Sequence, residues 1–136
     1  MKNWKRLIDK NAYSKKNKSK RIASVAERRK TIGSNLSFAA SEAYKLLRTN
    51  LIFTLADERS CRVIGVTSAL PGEGKSTTSI NLAFTLAQNN NRVLLLEGDM
   101  RIPVIASILR MRETPGLSNV LAGINSLEEA IRHSAL

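Results

Sequence analysis

Cysteine, histidine, aromatic residues and, over the first thirty residues, acids are all scarce in this 136-residue sequence. A single cysteine, Cys61, excludes an intrachain disulfide, and a lone thiol beside an apolar run is most often a packing residue. His133 is also alone, and with no second His or Cys near either residue no zinc site is expected. No run of residues approaches the length of a membrane span. The start MKNWKRLIDK lacks the apolar stretch of a signal peptide, so the expected location is the cytoplasm. A hydrophobic content of 43% with only 4% aromatics fits a soluble α/β protein with room for one domain.

Acids are missing where bases are dense. Residues 1–31 hold 12 of the 22 Lys and Arg but only Asp9 and Glu27, which places +10 of the total +11 there. The remainder, with 10 basic and 9 acidic residues, is nearly neutral. A segment such as KKNKSKR has no apolar period to bury, so residues 1–36 are read as a basic flexible arm and 37–136 as the folded part. Its functional reading is contact with an anionic partner. Trp4, Leu7 and Ile8 among Lys2, Lys5 and Arg6 favour a membrane surface over nucleic acid. The alternative is a solvated tail that binds nothing specific.

The strongest signal is SALPGEGKSTT, Ser68 to Thr78, which follows the apolar run Val63, Ile64, Gly65, Val66. Its spacing is that of the P-loop, G-x-x-x-x-G-K-[ST], with Ala69 where the pattern has its first Gly. Gly72 and Gly74 permit backbone conformations closed to residues with a Cβ, so successive N–H groups can turn inward around an anion. A helix opening at Lys75 adds its unpaired N–H groups and the positive end of its dipole. Lys75 then reaches the β- and γ-phosphates, Ser76 offers a hydroxyl to Mg²⁺, and Thr77 serves the α-phosphate side. The competing reading is a Gly-rich turn with an incidental lysine. The order strand, loop, helix favours nucleotide.

The surrounding pattern is α/β. FAASEAYKLLRTNLIFTLAD sets Ala40, Ala43, Tyr44, Leu47 and Leu51 at helical spacing. Residues 62–68 read as a β-branched strand, 75–88 as the P-loop helix, 89–91 as a turn and 92–97 as a second, continuously apolar strand. A short helix is expected after Pro103, another within ETPGLSNVLAG, and a last one over 127–133 from the capping-box spacing of Ser126 and Glu129. The second strand ends in LLLEGDMR, so Glu97 and Asp99 fall at the carboxyl end of a parallel strand, the edge where α/β sheets bind ligands. One acid could hold metal-bound water while the other accepts a proton from an attacking hydroxyl.

Four segments in this order and spacing, EAYKLLRTNL, VTSALPGEGKSTT, VLLLEGDMRIP and GLSNVLAG, resemble the bacterial tyrosine kinases of capsule and exopolysaccharide synthesis. The resemblance covers residues 37–136. It implies a P-loop NTPase fold like that of partition and septum-site ATPases, with a mostly parallel sheet that is incomplete in this chain. It also implies ATP- and Mg²⁺-dependent autophosphorylation of a neighbouring subunit's tyrosine, a transmembrane activator and ring-type self-association.

Carried onto this sequence, the phosphate loop is Ala69, Pro71, Gly72, Glu73, Gly74, Lys75, Ser76 and Thr77. The Asp-x-Asp-x-Arg motif falls on Glu97, Asp99 and Arg101, and the ring motif Glu-x-x-Arg-x-x-Arg on Glu42, Lys45 and Arg48. Asp99 would support the metal, and Glu97 would take the place of the acid that activates the tyrosine hydroxyl. Glu97 stands where the family has Asp, and Lys45 where it has Arg. Neither the family's third motif, Asp-x-x-Pro, nor a tyrosine cluster occurs, the only tyrosines being Tyr13 and Tyr44. The expectation is therefore the N-terminal part of a kinase, inactive as this fragment alone. The other readings are a P-loop ATPase that positions cargo or septa and a non-catalytic fragment that binds the membrane partner.

Overall fold

The computed structural model describes residues 23–55, 61–134 and 136. The expectations placed on Lys2, Trp4, Lys5, Arg6, Leu7, Ile8, Tyr13 and KKNKSKR lie outside these residues. The described chain is helical over 23–29 (α1), and a 3-10 turn follows at Gly33–Asn35. The longer helices are α2 (Phe38–Thr54) and α3 (Lys75–Ala87). Three short ones follow: α4 (Ile105–Ile108), α5 (Leu117–Leu121) and α6 (Leu127–Ala130).

Helix α2 starts where Ser37 Oγ accepts the Ala40 N–H at 3.3 Å, the N-cap bond that serves one of the orphan donors of a first turn. Ala40, Tyr44 and Leu51 lie half-buried on one side, whereas Phe38 at 83% is exposed. Arg48 joins α2 to α3, its Nη1 donating to Thr85 O at 2.8 Å. A charged donor on a part-buried carbonyl contributes about 1.5–3 kcal/mol, so Arg48→Met is expected to destabilise by about 2 kcal/mol. Glu42→Gln, which breaks only the exposed 2.7 Å pair with Lys45, is expected to cost under about 0.5 kcal/mol. Urea midpoints of the two variants check this; equal losses would contradict the clamp.

Helix α3 carries the core. Ile80 packs with Val25, Ile32 and Ile108, and Leu95, Val104, Ile105 and Leu109 close around them. Asn81, only 1% exposed, accepts the Gly33 N–H at 2.9 Å and donates to Thr31 O at 2.9 Å. Both ends of its amide are thereby used, as a buried polar group requires. Gly33 sits at φ +60, and a Cβ there would lie 3.1 Å from Leu136 Cδ2. Residues 23–36 of the expected arm are therefore not a solvated tail: Val25, Ile32 and Gly33 are buried against α3 and α4. Val25 and Ile32 are buried, and the basic stretch is not wholly turned to solvent, since Arg29 reaches inward to the Ser107 and Ile108 carbonyls.

The expected strands are not confirmed. No strand occurs among the described residues, and residues 62–68 and 92–97 exchange no backbone hydrogen bonds. Val63 is 94% exposed, Leu94 63% and Leu96 57%. A strand of a parallel sheet needs a ladder partner and a covering layer on both faces. Here only Leu95 of that second run reaches the core, and the parallel sheet is not confirmed. The last helix is also shorter than expected, because Ile131 turns to extended φ −69, ψ 139 and leaves the helix at Ala130. Its capping box is present: Ser126 Oγ accepts Glu129 N–H at 3.3 Å, and Glu129 Oε2 accepts Ser126 N–H at 3.0 Å.

Candidate phosphate-binding site

The loop between residue 67 and α3 is shaped by its two glycines. Gly72 has φ +85 and Gly74 φ +91, and a Cβ on either would meet nothing within 4 Å. The need for glycine is therefore one of backbone conformation rather than space. Gly74 is the N-cap of α3, and its carbonyl accepts Thr78 N–H at 2.8 Å, closing the first turn. Within the described residues the N–H groups of Gly72, Glu73, Gly74, Lys75, Ser76 and Thr77 make no hydrogen bond. Consecutive free donors at a helix start form an anion-binding concavity.

Lys75 lies over the loop. Its Nζ donates to Ser68 Oγ at 2.8 Å and to Leu70 O at 3.3 Å. Ser68 Oγ lies 3.0 Å from Leu70 O, and Glu73 Oε2 accepts the Leu70 N–H at 3.0 Å. The Leu70 N–H, then the Ser68 hydroxyl and the Lys75 charge, hold the Glu73 carboxyl below its ordinary value of 4.5. The one proton of Ser68 serves either Leu70 O or that carboxylate. A depressed carboxyl stabilises the folded loop above the ordinary value, and the stabilisation is lost as pH falls below it. Ala69 and Pro71 are exposed, and Ser76 and Thr77 are half-buried.

The acidic motif is organised differently. Glu97 Oε1 accepts the N–H groups of Val104 at 2.8 Å and Ile105 at 3.2 Å, and its Oε2 accepts Ile105 N–H at 3.1 Å. Its carboxylate thus sits at the start of α4, where negative charge is favoured. At the other end of α4, Arg29 Nε donates to Ile108 O at 3.0 Å and its Nη2 donates to Ser107 O. Asp99 Oδ1 accepts the N–H groups of Arg101 at 3.1 Å and Ile102 at 3.0 Å, a turn closed by its own side chain.

Thus Lys75, Glu73 and Ser68 are brought together, whereas no hydrogen bond or ion pair among the described residues joins Glu97, Asp99 or Arg101 to the loop. No group of three His, Cys, Asp or Glu is placed to hold a metal among these residues. Ser76 fits a metal-bound nucleotide, since its hydroxyl makes no hydrogen bond among the described residues and lies beside the free N–H groups. Of the ring motif, Glu42 and Lys45 pair with each other and Arg48 is spent on α3. The residues missed from sequence are Ser68, Arg29 and Asn81. Asn81 has a signal, a lone amide in the apolar run SINLAFTLA; Arg29 has none beyond charge.

A glycine-shaped loop, free N–H groups and an invading lysine ammonium at a helix start define a P-loop nucleotide-binding protein, and the chain belongs to the AAA domain family, which matches residues 61–136. Among curated proteins it is similar to the tyrosine-protein kinase YwqD of Bacillus subtilis (strain 168), 43% identical over 94 residues, or 69% of this chain and 39% of that protein. Tyrosine-protein kinase CpsD of Streptococcus pneumoniae serotype 4 is 40% identical over 93 residues, 68% of this chain and 40% of its own length. Tyrosine-protein kinase etk of Escherichia coli (strain K12) is 31% identical over 130 residues, 94% of this chain and 17% of its own. The likeness to bacterial tyrosine kinases read from the motifs is therefore found again in whole-sequence comparison. The chain spans about two fifths or less of the length of these relatives. No solved structure matches.

Proposed function

We propose that this chain is the ATP-binding part of a protein-tyrosine autokinase that regulates capsular or exopolysaccharide biosynthesis. The observation that carries the reading is the run of six free N–H groups from Gly72 to Thr77 beneath the Lys75 ammonium. The N–H groups of Gly72 to Lys75 surround the β-phosphate, and those of Ser76 and Thr77 face the α-phosphate side. Lys75 leaves Ser68 and Leu70 O for the β- and γ-oxygens, where it offsets charge that grows during transfer. Mg²⁺ would be held by the Ser76 hydroxyl with Asp99 in support, and when bound would supply positive charge to offset that of the phosphates. Arg101 follows on the nucleotide side.

Glu97 occupies the place of the family's hydroxyl-activating acid. Its three backbone bonds also make it the residue that sets the 98–104 loop, so a change here acts on geometry as well as on proton transfer. A reacting group displaced by about 1 Å can cost on the order of 10²-fold. In the assembled kinase, residues 62–68 and 92–97 take their place in a mostly parallel sheet. Self-association through Glu42 and Lys45, a transmembrane activator, an anionic membrane surface met by residues 1–31 and a cytoplasmic setting complete the reading. No described helix is long and apolar enough to cross a membrane.

The test uses the polypeptide extended to the relatives' length, incubated with ATP and Mg²⁺ and blotted for phosphotyrosine. A signal lost in Lys75→Met is expected. ATP hydrolysis with no phosphotyrosine would overturn the kinase reading in favour of a cargo- or septum-positioning ATPase.

A further inference from the structure

The Leu70 main chain is held at both its polar groups: its N–H by Glu73 Oε2 at 3.0 Å, its carbonyl by Ser68 Oγ at 3.0 Å and Lys75 Nζ at 3.3 Å. Glu73 is therefore one end of a small network whose other end is the ammonium that meets phosphate. Its own N–H belongs to the free run of the nest, while its side chain turns back to Leu70. A fixed carboxylate is thus kept beside a site built for anions. Glu73 is exposed, and the Leu70 bond favours this position over the other rotamers open to it.

We infer that Glu73 is a positioning residue that sets how strongly the loop discriminates between nucleotides of different phosphate charge. The inference rests on the phosphate-binding reading of the loop. Its carboxyl is depressed by the Leu70 N–H above all, so the charge is present throughout the neutral range. Repulsion between that charge and the ligand grows with each ionised phosphate oxygen. For charges several ångströms apart near solvent, each added unit of ligand charge changes affinity roughly two- to threefold. ATP carries one more negative charge than ADP and feels the carboxylate more. Glu73 thereby moderates triphosphate binding and narrows the preference for ATP over ADP, which lets product and substrate exchange at similar concentrations.

Two substitutions separate charge from geometry. Glu73→Gln retains an oxygen to accept the Leu70 N–H and removes the charge; Glu73→Asp retains the charge on a stem one methylene too short for that bond. Both replace an exposed loop residue. The full chain is titrated with N-methylanthraniloyl ATP and ADP at low and moderate salt. With the nucleotides supplied as their Mg²⁺ complexes, about two net negative charges for ATP and about one for ADP, Glu73→Gln is expected to bind ATP about fivefold more tightly than the parent and to raise the ATP/ADP affinity ratio about twofold, with the gain shrinking as salt rises. Glu73→Asp is expected to show no gain. An unchanged ATP/ADP ratio in Glu73→Gln at low salt overturns the inference, as does equal weakening in Gln and Asp, which would mark a purely structural tie. If the parent and Lys75→Met both fail to bind either nucleotide, the phosphate-loop reading itself falls and this inference with it.

Discussion

Lys75→Met is expected to weaken ATP binding by roughly 30- to 100-fold while leaving the fold in place. The ammonium donates to two oxygens of the loop, Ser68 Oγ and Leu70 O, which a β,γ-bridging phosphate would replace with charged acceptors. Hydrogen bonds to charged groups contribute about 1.5–3 kcal/mol, and about 1.4 kcal/mol is a factor of ten in affinity. Methionine keeps the length of the stem and removes the charge. Lys45→Met serves as the control, because that ammonium is paired with Glu42 on an exposed face of α2. Calorimetric titration of both variants decides it. Equal affinity of the parent and Lys75→Met would remove the lysine from the phosphate site.

Asn81→Ala is expected to cost roughly 3 kcal/mol of folding stability, the largest loss for any single polar side chain of the described fold. The amide is 1% exposed and joins the Gly33 N–H and Thr31 carbonyl to α3. Truncation leaves a buried donor and a buried acceptor without partners, at about 1–3 kcal/mol each when water cannot reach them. Asn81→Asp tests the same site from the other side: one oxygen still accepts from Gly33, but nothing donates to Thr31. Chemical denaturation of both gives the answer, and losses under about 1 kcal/mol would mean that water replaces the amide. Because Asn81 lies six residues past Lys75 on the same helix, ATP affinity after the change reports whether α3 itself has shifted.

Helix positions were readable because their causes are local. The α2 helix and the Ser126–Glu129 capping box depend on residues within one or two turns, although Ala43 and Leu47 of the expected stripe are exposed. The backbone of the 68–77 loop was readable for the same reason, because its positive-φ glycines act within a short span. What sequence could not show depends on distant partners. Val63, Leu94 and Leu96 have the composition of strands, yet a strand exists only with its neighbour, and the described residues provide none. Glu97 and Asp99 read as free acids facing a ligand, but each carboxylate is engaged by backbone N–H groups a few residues on. Val25 and Ile32 were hidden by the charge around them. Pattern reading weighs the average of a segment, whereas burial is decided by single side chains.

Helix α4 is a single turn, held by Glu97 before it and Arg29 beyond it. Such a turn has no stability in isolation, since nucleation costs more than one or two hydrogen bonds return. Its order is borrowed from contacts that close loops of 78 and 79 residues on the Arg29 side, and those between Asn81 and the 31–33 turn close loops of 48 and 50. In kinetic terms these bonds form after α2 and α3, whose own contacts are local, and interactions made late act mainly on the rate of unfolding. The 23–33 segment is therefore a latch on lifetime rather than a nucleus: amide exchange should show it opening before α3 does, and simultaneous exchange of the two would argue against that order.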